Sequence, residues 1–468
     1  MAQRGIGFWV SLFLLYGFHA TAALWTERAL WGDGAHYFSR ILETRWFFTG
    51  DSSRAGADLL VQFPLVLALS AGVTDLPWLK LLFGLPPFTL APACIALCLW
   101  MAGPNKALVI YPLATVAAGL MNTELLVIHE SRTALALFWP VLFGLVDPKR
   151  RMSSLLVAAA LSIPFIASYE SALVLGPILG FTAFQRWRRE SSWSQRAGVL
   201  SCLVAALASV WVAADSVVHP RHPANFEQFQ ETWRVLLDQG SVGTYLSLFV
   251  LVLGAASRHH RPGRQKMVLG IALLAACAGI LLLLGNPQLV AVHAQYRARF
   301  LNVALPLIAS CAVLRWPDPP AAKPPLQNLL GILIAAQVFF QVQLTDQWSS
   351  FRRIAREQLD CARGLLPADV ALASRLSNLG LSTEWMHGWE HPTLSLLDRA
   401  GPVRSLLGNS RDHKGWQPFD PLRPDEVPDL SRYGIETSEY LSIIPKLVER
   451  GGSPWEYVTC GQVLERKP

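Results

Sequence analysis

The chain is predicted to be an α-helical polytopic membrane protein of about ten to eleven apolar helices, with a smaller C-terminal soluble domain that is α/β or irregular. Three observations predict this. Of 468 residues, 52% are hydrophobic and 16% charged, 17 are Trp, and the mean hydropathy is +0.33, too apolar for a soluble chain of this length. Apolar windows meeting or approaching the roughly 20 residues that a bilayer core demands recur from Gly5 to Leu344. From Thr345 to Pro468 they stop, and Asp, Glu, Arg, Pro and Gly take over. The expected division is a membrane domain over 1–345 and an extracytoplasmic, periplasmic domain over 346–468, the latter of ordinary single-domain size.

The first element is the apolar run in "MAQRGIGFWVSLFLLYGFHATAALW". A cleaved signal peptide shares its early Arg4 and its small residues at Ala20, Thr21 and Ala22. The run extends past a signal-peptide core to about spanning length, which favours a retained helix. Either way the next segment faces outward. That segment, "WGDGAHYFSRI", sets Asp33 between Gly32 and Gly34, where the backbone can turn tightly and approach a ligand. Tyr37, Phe38, Ile41, Leu42 and Trp46 then share one helical face, opposite Ser39, Arg40, Glu43 and Thr44, so a helix lying along the membrane surface is expected. A plain N-cap role for Asp33 is the simpler alternative.

The net charge of +7 gathers in short loops: "DPKRRM" over 147–152, "QRWRRESSWSQR" over 185–196 and "SRHHRPGRQK" over 257–266, with Lys106 and Lys323 as weaker sites. The positive-inside rule accounts for these clusters without nucleic acid and puts them on the cytoplasmic side. Apolar pairs fit between them, with tips at "SYES", at the polar stretch following His219, and at "GNPQLVAVHAQYRARF", and a last span over 329–344 leads outward. Between Asp58 and Met101 two apolar runs occur where only one crossing is allowed. The first, short and broken by Pro64, is expected to lie on the outer surface or re-enter from it. Cys94, Cys98, Cys202, Cys277 and Cys311 fall in apolar spans, as small hydrophobes. Cys361 and Cys460, in the domain expected to face an oxidising compartment, form a disulfide candidate; two separate thiols are the alternative.

With these sides assigned, ionisable groups far apart in sequence share the outer face: Asp33 and His36, then His129, Glu130 and Arg132, then Glu170, then His293, Tyr296, Arg297 and Arg299. Two arginines before a span on the side opposite the basic clusters run against positive-inside placement, and guanidinium forks suit phosphate oxygens. Interfacial anchoring would also explain them. "RHHR" reads as solvated charge in a basic loop. His387, Glu390 and His391 have HxxEH spacing but sit in a Trp- and Gly-containing stretch ending at Pro392, a poor helix for zinc.

Three features together resemble the GT-C superfamily of membrane glycosyltransferases, which use polyprenyl-phosphate-linked sugars and include protein O-mannosyltransferases, the lipid A aminoarabinose transferase and oligosaccharyltransferase catalytic subunits. They are the acid after span one (Asp33 in "WGDGAHYFSRI"), the acid of the next outer loop (Glu130 in "HESR"), and the aromatic-and-arginine stretch leading into a span ("QYRARFLNVALPL"). The resemblance covers residues 1–345. Glu130 replaces the more usual Asp, and Asn302 stands where Pro or Leu is common, which leaves the substrate and any divalent metal unassigned.

The resemblance implies inverting transfer of a sugar from polyprenyl phosphate to an extracytoplasmic glycan, lipid or protein. Asp33 is the general base for the acceptor hydroxyl, Arg297 and Arg299 neutralise the departing phosphate, and Glu130 or His129 orients the acceptor or holds a cation. His36, Tyr37, Arg132, Glu170, His293 and Tyr296 line the substrate. Beyond a metal, no cofactor is implied: "GIG" near residue 5 is too short for a nucleotide loop. An O-antigen-ligase-like or other envelope polymer transferase, or an acyltransferase, is the nearest competing reading. A lipid or sugar transporter would need charged residues inside its spans and repeated halves, and a mere anchor would not need this acid and arginine set. The lack of N-x-Ser/Thr sequons and the Ala/Leu/Arg-rich composition point to a bacterial inner membrane.

Overall fold

The computed structural model describes residues 2–31, 34–103, 106–121, 130–147, 149, 151–219, and parts of 303–314, 334–356, 370–373, 394–408 and 428–436. These residues are mostly helical. The α-helices run in the order α1 (Ala2–Trp25), α2 (Gly34–Thr44), α3 (Ala55–Ser70), α4 (Leu76–Ala102), α5 (Ile110–Met121), α6 (Glu130–Val146), α7 (Met152–Phe165), α8 (Ala172–Arg189) and α9 (Trp193–Val218). Among the described residues α4 and α9 are long and apolar enough to cross a bilayer, while Trp9–Trp25 and Met152–Phe165 are shorter apolar helices. In the C-terminal part, β1 (Val370–Ala373) pairs in parallel with β3 (Ser405–Gly408), and β2 (Gly401–Pro402) with β4 (Ile435–Glu436).

Helix α6 is at the centre. Almost every residue from Glu130 to Leu145 is buried, as expected of a helix surrounded on all sides, and it packs on α4, α7 and α8. Gly144 lets α7 come close, since a Cβ there would lie 2.5 Å from the Ala158 Cβ and 2.7 Å from the Ser154 carbonyl oxygen. Small residues serve the same purpose where there is no water to drive helix association. Trp139 donates its indole N–H to the Thr115 hydroxyl at 2.8 Å, which ties α6 to α5.

The ends of these helices carry contrasting polar groups. At one end Arg151 donates to the Trp100 and Met101 carbonyls that close α4, at 3.1 and 2.7 Å, and to Asp147 at 2.9 Å. Arg186 caps the end of α6 through the Gly144 and Leu145 carbonyls, and Arg196 donates to the Glu190 carbonyl. These arginines belong to two of the basic clusters. About 30 Å along α4, at 1.5 Å per residue, Lys80 pairs with Glu27, just beyond the end of α1, at 3.1 Å.

Helix α3 is unbroken through Pro64 and spans 16 residues, or about 24 Å. Both of its ends are tied to segments at the Lys80 end of α4. The Ala167 carbonyl beyond α7 accepts from Gly56 and Ala57, and the Leu69 carbonyl accepts from Arg45. Midway, Gln62 donates to the Phe48 carbonyl at 2.7 Å and accepts from the Phe48 N–H at 2.9 Å. Gly56 is required here, because a Cβ would collide with the Pro164 and Ala167 carbonyls.

The helix after Asp33 forms as α2, but its buried face is Ala35, Phe38, Ser39, Ile41 and Leu42. The helix stops at Thr44 because Arg45 turns left-handed, with φ of 55°. Trp46 therefore leaves the helical face assigned to it and is 64% exposed.

Candidate functional site

The site begins where the loop before α3 turns back. Asp51 accepts from the Ser53 N–H and hydroxyl at 2.9 and 2.8 Å, which fixes the short 3-10 turn Ser52–Arg54. That turn directs Arg54 at two acids from distant parts of the chain. Its guanidinium donates to Glu170 at 3.0 Å and lies 3.7 Å from Glu130, while its carbon centre sits 5.3 Å over the Tyr169 ring. Glu130 is the first residue of α6, where the helix dipole favours a negative charge, and it is 8% exposed. Burial works against the charge on Arg54, but Glu130, Glu170 and Tyr169 outweigh it and raise the guanidinium pKa further.

One turn into α3, Asp58 joins this group and is only 2% exposed. Its Oδ2 is buried with no hydrogen-bond partner among the described residues. Burial chiefly, and then the charge of Glu130, push its carboxyl up to about 8 against the pull of Arg54, with Asp51 adding a smaller push. Both effects favour the protonated form of Asp58. Gln62, one turn further along the same buried face, holds the Phe48 backbone, and the Phe48 ring meets His36 and Tyr37 edge-on at 5.5 and 5.0 Å. Through that contact the acidic group connects to α2.

The segment before α2 is anchored separately. Arg28 is fully buried and donates to the Gln341 carbonyl at 2.9 Å and the Thr345 hydroxyl at 2.8 Å. Trp31 stacks on Trp348 at 5.6 Å, and Trp348 donates its indole N–H to the Thr26 carbonyl at 2.9 Å. Arg352, a turn beyond Trp348, and Arg356 join Lys80 on Glu27. Burial opposes the charge of Glu27, but Lys80, Arg352 and Arg356 hold its carboxyl below the ordinary range. On the far side of α2, Tyr433 donates to the Leu42 carbonyl at 3.0 Å and the Asp429 N–H donates to Glu43, so the C-terminal part leans on α2 as well.

Of the residues expected from sequence, Glu130 and Glu170 meet on Arg54, and His36 and Tyr37 pack beside Phe48. Arg132, also in the first turn of α6, acts electrostatically on Tyr16 and His19 of α1. Asp33, His129, His293, Tyr296, Arg297, Arg299, Cys361 and Cys460 lie outside the described residues. Sequence reasoning missed Arg54 and Asp58. The available signal was the charge of Arg54 in "GDSSRAGAD", an arginine on the side that positive-inside placement leaves poor in cations.

No protein-family model matches the chain, and no curated protein and no solved structure matches it either.

Proposed function

We propose that the chain is an integral-membrane glycosyltransferase that moves a sugar from a polyprenyl-phosphate donor to an extracytoplasmic acceptor, with inversion. One observation carries this reading. Two acids assigned to the outer face from sequence, Glu130 and Glu170, come together on Arg54 beside the buried Asp58, at the helix ends opposite the arginine-rich ends. Through Phe48 this group adjoins α2, the helix that follows Asp33. A transferase using lipid-linked sugars needs such a polar site at the membrane boundary, with apolar helices beside it for the prenyl chain.

In this mechanism Asp33 takes the proton of the acceptor hydroxyl as its oxygen attacks the anomeric carbon. The bond to the phosphate oxygen breaks on the opposite face, and the electron pair leaves with polyprenyl phosphate. Arg297 and Arg299 neutralise that phosphate, and Glu130 or His129 orients the acceptor. A divalent metal, if one takes part, would draw on Glu130 and His129. The enzyme works in the bacterial inner membrane with its site facing the periplasm.

The test is release of free polyprenyl phosphate from a panel of polyprenyl-phosphate sugars by purified wild type and Asp33→Asn. Release that falls at least a hundredfold in the variant supports the reading. No release from any donor by folded protein overturns it and favours a ligase or transporter. Equal release by both proteins keeps the transferase and makes Asp33 a helix cap.

A further inference from the structure

A cleft at the arginine-rich ends of the helices has no part in the reaction above. Its volume is about 660 Å³, and it lies between the first half of α1 and the last turn of α4, two helices that pack together. Val10, Phe13 and Leu14 line it from α1, and Leu99 and Trp100 from α4. From Trp9 to Leu14 is five steps of 1.5 Å, so the groove follows α1 for about 7.5 Å. Val10, Leu14 and Trp100 are exposed, so it opens on the outside of the helices and not into their core.

Its mouth is made differently. Among the described residues the one charged group in the walls is Lys106, which is exposed and has no hydrogen bond or ion pair there. Gly103 turns the chain after α4 with φ of 56°, and a Cβ at that position would meet nothing within 4 Å, so the mouth is open. Trp100 joins the cleft to a second cation. Arg151 lies 5.1 Å over its ring and donates to its carbonyl at 3.1 Å. Arg151 also takes the Met101 carbonyl, which offsets the negative end of the α4 dipole where an anion would approach.

An occupant has to match both parts. Inorganic phosphate would satisfy Lys106 and leave the apolar walls in water. A zwitterionic lipid would fill the groove but bring its own positive charge to Lys106. A phospholipid of net negative charge suits both, and basic pockets between helices on the cytoplasmic side favour such headgroups. We propose that this cleft binds an anionic phospholipid of the cytoplasmic leaflet, with its phosphate at Lys106 beside the Trp100 ring and one acyl chain between α1 and α4. The site rests on the integral-membrane part of the reading above, with the basic clusters cytoplasmic, and not on glycosyl transfer.

The experiment measures binding of phosphatidylglycerol and of phosphatidylcholine to the delipidated full chain in detergent by native mass spectrometry. Wild type is compared with Lys106→Gln, Val10→Trp and Arg189→Gln, with folding checked by circular dichroism. Wild type should bind phosphatidylglycerol about fivefold tighter than phosphatidylcholine, the effect of one basic residue on an anionic headgroup. Lys106→Gln should lose that preference and bind phosphatidylcholine as before. Val10→Trp fills the groove from an exposed position and should weaken both lipids about tenfold, as displacing two methylenes from apolar walls would. Arg189, exposed at the end of α8, controls for diffuse charge, and Arg189→Gln should bind as wild type does. No preference in wild type, a preference that survives Lys106→Gln, or an equal loss in Arg189→Gln overturns the site. So does a folded Val10→Trp that binds normally, or displacement of phosphatidylglycerol by millimolar inorganic phosphate. If Val10→Trp does not fold, Lys106→Gln and Arg189→Gln decide. Washing membranes with alkaline carbonate separates the two failures: a released chain overturns the integral-membrane reading and this site with it, whereas a retained chain without the preference overturns the site alone.

Discussion

Replacing Arg54 with Met removes the cation paired with Glu170 and Glu130 while keeping most of the side-chain volume. In the wild type the guanidinium lies 3.0 Å from Glu170 and 3.7 Å from Glu130, with side-chain exposures of 23% for Arg54, 26% for Glu170 and 9% for Glu130. Removing one partner of a buried ion pair costs about 3–5 kcal/mol because the other charge stays buried and uncompensated. Glu170 is exposed enough for water to replace much of its lost contact, so the loss falls mainly on Glu130, and about 3 kcal/mol is expected near pH 8. Acid should reduce the cost. Without Arg54 the folded-state carboxyl pKa values rise, and a carboxyl with a raised folded pKa stabilises the fold at low pH and loses that contribution as pH rises. The deficit of Arg54→Met should therefore grow between pH 5 and pH 8. Urea unfolding in mild detergent, followed by tryptophan emission at both pH values, measures it. Adding Glu130→Gln to Arg54→Met should recover part of the loss. A deficit under about 1 kcal/mol at pH 8, or the same deficit at both pH values, would refute the account of Arg54 as the counter-ion of a buried acid group.

Other expectations concern neighbouring residues. Burial raises the Asp58 carboxyl from 3.8 to about 8, so its proton stabilises the fold fully below pH 4, progressively less between 4 and 8, and not above that range. The stability of wild type relative to Asp58→Asn should fall across this window, and parallel curves from pH 4 to 9 would show that Asp58 titrates normally. Gln62→Leu leaves the Phe48 N–H and carbonyl without their partner and should cost about 2 kcal/mol, with faster hydrogen exchange at the Phe48 amide; unchanged exchange there would count against Gln62 as the tie between α3 and the loop.

Residue pattern alone accounts for much of the architecture. Apolar run length marks the helices from α1 to α9, and local periodicity marks α2, because both follow from burial of side chains at fixed helical spacing. Charge in the connecting segments groups Glu130 with Glu170, since short loops between packed helices alternate ends. Local pattern fails where one residue decides an ending: Arg45 turns left-handed and takes Trp46 off the face that spacing assigns it.

Tertiary structure decides the composition of the acidic group. Asp58 opens an apolar run, and Arg54 stands in the short polar stretch before it, far in sequence from both glutamates. Arg54 meets Glu170 across 116 positions of sequence. Likewise Arg28, in the short connection between α1 and α2, is fully buried because Gln341 and Thr345 supply its acceptors. Helical periodicity is set by neighbours within a few residues, so it can be read along the chain. The burial and pairing of a charge depend on which distant helix end arrives beside it, and only the packed molecule brings those ends together.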